Sequence, residues 1–429
     1  MLIQFTIENF ASFKSKNTLS MEKGQRLRKY NDTNTMIIND VGLLKNAIIF
    51  GPNGSGKSNL IFALSSLRKL VLNPTKSINS KLSAVPFLLD DNSNKNPTNF
   101  EIEFIVNEIQ YFYTLSYNKT KIIKEELSVL NKNKYDTYFE RNEDDLTISP
   151  KNNEMLILKT RPNSLFLFNL QNENDFHAKN VLDWFKNYLI FADSSSIDDY
   201  LYLLEDEHNK KLFIDILNFA DFNLIDIEIK VSKNKISSDT IRLFHNFMQS
   251  ITDEEQSLPP VEDIEPTESI TNKVYTVYRK YDFNGEVIGT KALDLNLESA
   301  GTKKMIKIAL CILASLESPG KVLLFDEFDD SFHLNLSKAL VKIFNSKSNF
   351  NQFILTSHAL ELLECELRKD QIFFAEKDFD GESHLYSIFD FLDLNSRTDI
   401  SYLNRYLQGE FGAIPQVHIN SILKLINKE

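Results

Sequence analysis

Four short stretches of this chain hold residue types whose spacing can do chemistry. Residues 51–58 read Gly-Pro-Asn-Gly-Ser-Gly-Lys-Ser, a match to G-x-x-x-x-G-K-[ST]. Such a loop needs glycines, here Gly51, Gly54 and Gly56, to turn tightly and to approach phosphate closely. Backbone N–H groups from Gly54 to Ser58 cradle negative oxygens, and the following helix N-terminus adds its dipole. Lys57 is suited to neutralise β- and γ-phosphates and the Ser58 hydroxyl to ligate Mg²⁺, while Asn53, Ser55 and Asn59 complete the loop. Residues 321–327, KVLLFDE, are an apolar run ending in two carboxylates. Asp326 suits Mg²⁺, held through water, and Glu327 suits a general base that polarises an attacking water. Asp329 and Asp330 continue the acidic run, so a solvated strand end is the competing reading, disfavoured by the phosphate loop in the same chain. Residues 352–358, QFILTSH, form a second apolar run whose terminal His358 can hydrogen-bond a γ-phosphate or the water. The fourth stretch, LESAGTKKM at 297–305, has no acid–base pair and no ligand spacing. Alone it reads as a helix start capped by Ser299.

The elements around these stretches must position them. An apolar strand (AIIF) precedes the glycine-rich loop and a helical pattern follows it. Residues 2–7 and 99–118 alternate with period two and predict strands, and 121–148 continue in strand-like and polar pieces. From 176 to about 250 the period turns helical, as in FHAKNVLDWFKNYL, and no heptad run predicts a long coiled coil. Residues 252–270 are acidic and proline-containing and read as an exposed loop. A hairpin follows, with Asn284-Gly285 between alternating runs predicting a type I′ turn. Beyond 301, helices at 301–317, 333–346 and 359–367 alternate with strands KVLLF, QFILT and QIFFA. That alternation implies βαβ units and a parallel sheet. The expected organisation is therefore 1–175 with the phosphate loop and a strand-rich lobe, 176–272 as a helical insertion, and 273–429 with the remaining motifs.

Composition bounds the function. The chain has 429 residues, 42% hydrophobic and 25% charged, enough for a sizeable core. Net charge is −12, which excludes a broadly basic coat for nucleic acid or anionic membrane and leaves room only for a local basic groove. Cys311 and Cys365 are the only cysteines and sit in apolar, helix-like contexts, so reduced core thiols are expected. The N-terminal MLIQFTIENF lacks a signal-peptide pattern, and the apolar run at 306–316 is too short for a bilayer. A cytoplasmic protein without membrane attachment is expected.

In this order, GPNGSGKS, LESAGTKKM, VLLFDE and ILTSH resemble the ABC-type ATPase heads of the RecF, SMC and OLD class. The resemblance covers roughly 1–60 and 290–360. More narrowly, FTIENFASFKSKNTLSM, DEFDDSFH and RYLQGEFGAIPQV look like the prokaryotic ATPases of abortive-infection systems, AbiL-type and RloA-like. The resemblance implies an α/β P-loop NTPase fold: a mixed sheet, a strand-rich N-terminal lobe and a helical insertion. It implies ATP and Mg²⁺ as cofactors, and a homodimer, or a higher even assembly, that sandwiches two ATPs. Ser299 and Gly301 would then bind the γ-phosphate held by the other copy, with Thr302 as an extra donor. It further implies a sensor or scaffold in anti-phage defence that controls a separately encoded nuclease or toxin. Two alternatives stand beside that reading. A DNA repair ATPase of the RecF kind would use a basic groove with Lys303, Lys304 and Lys307; an assembly module would bind ATP and barely turn it over.

The sequence departs from the family pattern at His333, where SMC-like heads carry an Asp six residues past the catalytic Glu. No glutamine loop can be placed. Glu376, Asp378 and Asp380 offer a fragment of a metal-dependent nuclease, but a strand, a turn at DFDG and a returning strand is the favoured reading.

Overall fold

Strand-like alternation dominates the first part of the chain, and the computed structural model forms it into an antiparallel sheet. The structure describes residues 1–143, 145–148, 160–193, 196–236, 267–391, 401–414 and 426. It divides into two units: Met1–Ser195 with Ser315–Glu429, and Ser196–Ala314.

In the first unit, Leu2–Glu8 (β1) pairs antiparallel with Asn17–Ser20 (β2). A short hairpin follows, Thr35–Ile38 (β3) with Val41–Leu44 (β4). Asn46–Phe50 (β5) joins a different sheet. Then come Thr98–Val106 (β6), Ile109–Tyr117 (β7), Ile122–Asn131 (β8), Lys134–Asn142 (β9) and Asp145–Ile148 (β10). They complete a seven-stranded sheet of order β10-β9-β8-β7-β6-β1-β2. Alternate residues such as Phe100, Ile102 and Phe104 point to one buried face, where Phe104 stacks on Trp184 at 4.2 Å between ring centroids. Leu189–Phe191 (β11) is a three-residue strand inside a stretch whose periodicity reads as helix.

The second unit departs from a purely helical insertion. Helix Glu207–Phe219, capped by Asp206, fits the helical period. Asp226–Ile236 (β12) is a strand, and with Thr267–Tyr281 (β13) and Val287–Asp294 (β14) it makes a three-stranded antiparallel sheet. The expected acidic loop lies outside the described residues from 252 to 266, and residues 267–270 belong to β13. The β13–β14 connection is a five-residue loop, with the amide of Asp282 bonded to the carbonyl of Glu286. Only Gly285 in it has positive φ, 85°, so it is not the type I′ turn, which needs two such residues.

The motifs of the first unit hang on its other sheet, made of β5, β11, Val322–Phe325 (β15), Gln352–Ser357 (β16), Ile372–Lys377 (β17) and Ser383–Ser387 (β18). Its order is β11-β15-β16-β5-β17-β18, parallel except for β18. This is the expected α/β nucleotide-binding architecture with a mixed sheet. Every residue of β5, β15 and β16 is buried, as strands covered on both faces must be. Burying each large apolar side chain there stabilises the sheet by roughly 1.5–3 kcal/mol. Helix Leu334–Phe344 links β15 to β16, whereas the helix expected at 359–367 is only a 3-10 turn, Leu360–Glu364. Cys311 and Cys365 are not joined in a disulfide. Among the described residues, no helix is long and apolar enough to cross a membrane.

Candidate functional site

The C-terminal ends of β15, β16 and β5 lie side by side, the edge at which parallel sheets bind ligands. The chain leaves β5 at Phe50, turns through Gly51–Gly56 and enters helix Lys57–Leu72. Two of the glycines are sterically required. A Cβ on Gly51 would lie 2.2 Å from the carbonyl oxygen of Ala375 on β17. One on Gly56, at φ 107°, would lie 2.4 Å from Ser383 Oγ and 2.9 Å from Ser12 Oγ. The loop is thus wedged between the β17–β18 hairpin and the segment around Ser12. Ser12 Oγ accepts from Asn59 Nδ2 and from Ser383 Oγ, each at 2.7 Å.

Lys57 is buried and folds back over the loop. Its Nζ donates to the carbonyls of Gly51 at 2.7 Å and Pro52 at 3.0 Å, and lies 3.5 Å from His358 Nδ1. Burial pushes its pKa down to about 8, an effect that the neighbouring Asp326, Glu327 and Asp329 carboxylates oppose. Ser55 Oγ is buried in the loop without a hydrogen-bond partner. An orphaned hydroxyl beside a cradle of amides and a lysine is what a bound phosphate oxygen would satisfy. The exposed hydroxyl of Ser58 and the carboxylate of Asp326 are hard oxygen donors of the kind Mg²⁺ takes. The donor set therefore fits a magnesium nucleotide.

Sheet register brings the acids to the loop. Phe325 pairs with Leu355 and Ser357 pairs with Phe50. Asp326 therefore emerges beside Thr356, and His358 beside Gly51. The buried hydroxyl of Thr356 donates to Asp326 Oδ1 at 2.5 Å and accepts the Glu327 amide at 2.8 Å. The Asp326 amide donates to Asp193 Oδ2 at 2.7 Å. Glu327 sits in the left-handed region at φ 45°, a conformation costing a non-glycine residue on the order of 1–3 kcal/mol. The backbone holds it there, since Thr356 grips its amide and the Thr356 carbonyl takes the next one, from Phe328, at 2.9 Å. Its carboxylate is half exposed, with Oε1 4.0 Å from His358 Nε2. Asp329 Oδ2 accepts the amide of Ala359 at 3.1 Å and so braces the residue after His358.

Lys57, Asp326, Glu327 and His358, from three strand ends, thus converge on one site. Ser299, Gly301 and Thr302 belong to the second unit. There Ser299 Oγ accepts the Thr302 amide at 3.1 Å and lies 2.8 Å from Thr302 Oγ1. That is a helix cap for Ala300–Glu317, as the bland reading of the stretch expects. In the hairpin, Glu376 accepts from Tyr386 Oη at 3.0 Å while Asp378 faces His384 at 3.2 Å. Glu376 and Asp378 are thus taken up by separate partners, and DFDG forms the turn of the hairpin. Thr356, Asp329, Asp193, Ser12 and Ser383 are the site's unanticipated members. A threonine directly after the apolar run at 353–355 was the one signal available for Thr356.

Residues 47–364 match the family model described as "AAA domain, putative AbiEii toxin, Type IV TA system". No curated protein matches the chain. Among solved structures, the chain is similar to an SMC head bound to the C-winged helix domain of ScpA, with TM-score 0.43 and 13% identity over 90% of this chain and 97% of that one. It is similar to the SMC head domain from Thermotoga maritima, with TM-score 0.39 and 15% identity over 90% and 98%. A third is an Smc head with an extended coiled coil bound to the C-terminal domain of ScpA derived from Pyrococcus furiosus, with TM-score 0.39 and 12% identity over 90% and 96%.

Proposed function

The chain belongs to this AAA-domain family, and we propose that it is an ATP-hydrolysing switch that works as a pair of copies in the cytoplasm. One observation carries the reading: His358 stands between Lys57 and Glu327, while Thr356 ties Glu327 to Asp326. Phosphate charge, metal and attacking water are each met by a residue of the right chemistry at one sheet edge. Lys57 and the amides of Gly54–Ser58 bind the phosphates, and Ser58 and Asp326 hold Mg²⁺. Bound there, the ion would draw charge from the β- and γ-oxygens. Glu327 orients water and takes its proton, and His358 hydrogen-bonds the γ-phosphate. Asn53, Ser55 and Asn59 complete the binding loop.

Ser299, Gly301 and Thr302 act on the nucleotide held by a second copy. A helix N-terminus is suited to a phosphate whichever chain supplies it. ATP closes the pair and hydrolysis releases it. The family's description names a toxin–antitoxin system, which supports a role in anti-phage abortive infection. Kinship with AbiL-type and RloA-like ATPases, and control of a separately encoded nuclease or toxin, are part of the same proposal. Phosphate release from ATP by the full chain with Mg²⁺ tests it. Wild type should turn over and Lys57→Ala should not; equal release by both would remove the assignment.

A further inference from the structure

We propose that Thr356 is a positioning residue whose buried hydroxyl fixes how Asp326 presents itself to the metal and where Glu327 stands. The inference rests on the ATPase reading above and adds a residue to its machinery.

The hydroxyl has one proton and its use is determined. The Glu327 amide can only donate, so at 2.8 Å Thr356 Oγ1 must accept from it. The Thr356 proton is then committed to Asp326 Oδ1 at 2.5 Å. Asp326 thereby has one oxygen anchored, which fixes how its carboxylate would face a bound Mg²⁺. The same hydroxyl holds the amide of a residue in a left-handed conformation that side chains rarely adopt. Thr356 is fully buried in the central strand β16, where valine would fill the same volume with equal strand preference. Packing alone does not call for a hydroxyl there. Removing it strands the Glu327 amide and frees the Asp326 carboxylate to rotate, while the phosphate loop on β5 and its helix remain unaltered. Partners that orient a metal ligand in this way typically carry about 10–100-fold in metal affinity or activity.

The test compares full-length wild type, Thr356→Val, Thr356→Ser and Thr356→Cys. Mn²⁺ serves as the probe, its binding with ATP read by electron paramagnetic resonance. Metal-free binding of a fluorescent ATP analogue and thermal melting run in parallel. Thr356→Val should melt as a folded protein and bind the metal-free analogue like wild type. Its Mn²⁺ affinity with ATP should fall by about 10–100-fold, and Thr356→Ser should restore it. Should valine fail to fold, cysteine, a poor donor of similar size, carries the same comparison. Wild-type Mn²⁺ affinity in the folded hydroxyl-free variant overturns the assignment, as does a serine variant as impaired as valine. A wild-type chain that binds no Mn²⁺ with ATP removes the ATPase reading itself.

Discussion

The imidazole of His358 lies 3.5 Å, through Nδ1, from the ammonium of Lys57, although the two residues stand 301 positions apart in the sequence. The contact exists because β16 lies between β15 and β5, so its C-terminal end separates the phosphate loop from the acidic pair. A group in that position can report on phosphate to the water side of the site. Replacing His358 with Ala should leave ATP binding nearly intact and lower turnover by about 10²–10³, the usual cost of losing one donor to developing charge. Equilibrium binding beside initial rates of phosphate release checks this. A loss confined to binding would place His358 with the ligand-gripping residues instead.

Lys57 gives nucleotide binding a pH dependence. In the free protein, burial holds its pKa at about 8. Phosphate oxygens favour the ammonium, so binding raises that pKa. Protons are then taken up on binding, and affinity should fall as pH rises through about 8, by up to about tenfold per unit. Calorimetry at pH 8.5 in buffers of different ionisation heat should show proton uptake, and none in Lys57→Met.

Ser299 separates binding from pairing. Ser299→Arg should leave ATP binding to a single copy unchanged, because the phosphate loop is intact. It should lower both hydrolysis and ATP-driven association. Ser299→Ala should cost about 0.5–2 kcal/mol of helix capping. If the folded Arg variant no longer binds ATP, the contact in trans is wrong and the stretch is only a cap.

Glu125 is a structural anchor remote from the phosphate loop. Its fully buried carboxylate accepts the amides of Phe166 at 2.7 Å and Leu167 at 3.0 Å, and the hydroxyl of Tyr113 at 3.0 Å. Glu125→Ala strands all three donors and leaves the buried Arg141 guanidinium, 4.0 Å away, without its counter-charge, which should destabilise the chain by about 3–5 kcal/mol. Denaturant melts should show the loss, with ATP affinity unchanged under conditions where the variant is folded.

The local parts of the site are legible in the amino-acid order. GPNGSGKS is contiguous, and its glycines are dictated by contacts that leave no space for a Cβ at Gly51 or Gly56. Asp326, Glu327 and His358 can be placed because buried strands end in them. Thr356 is not legible in that way. Its partners belong to another strand, and only the register of β15 against β16 makes its hydroxyl matter. Strand β11 has three residues, too few for any periodicity to register. Strand β12 did carry a period-two signal in Asp226–Val231, masked by the longer helical run before it.

A switch made by two copies closing around ATP should be visible in the sedimentation of Glu327→Gln. Without its base the chain should bind ATP and hydrolyse it slower by about 10²–10⁴, so the closed state accumulates. With ATP and Mg²⁺ the variant should sediment at twice the mass it shows with ADP, and Ser299→Arg added to it should restore the ADP value. The same mass with ATP, ADP and no nucleotide, while ATP is demonstrably bound, would rule out a nucleotide-closed pair.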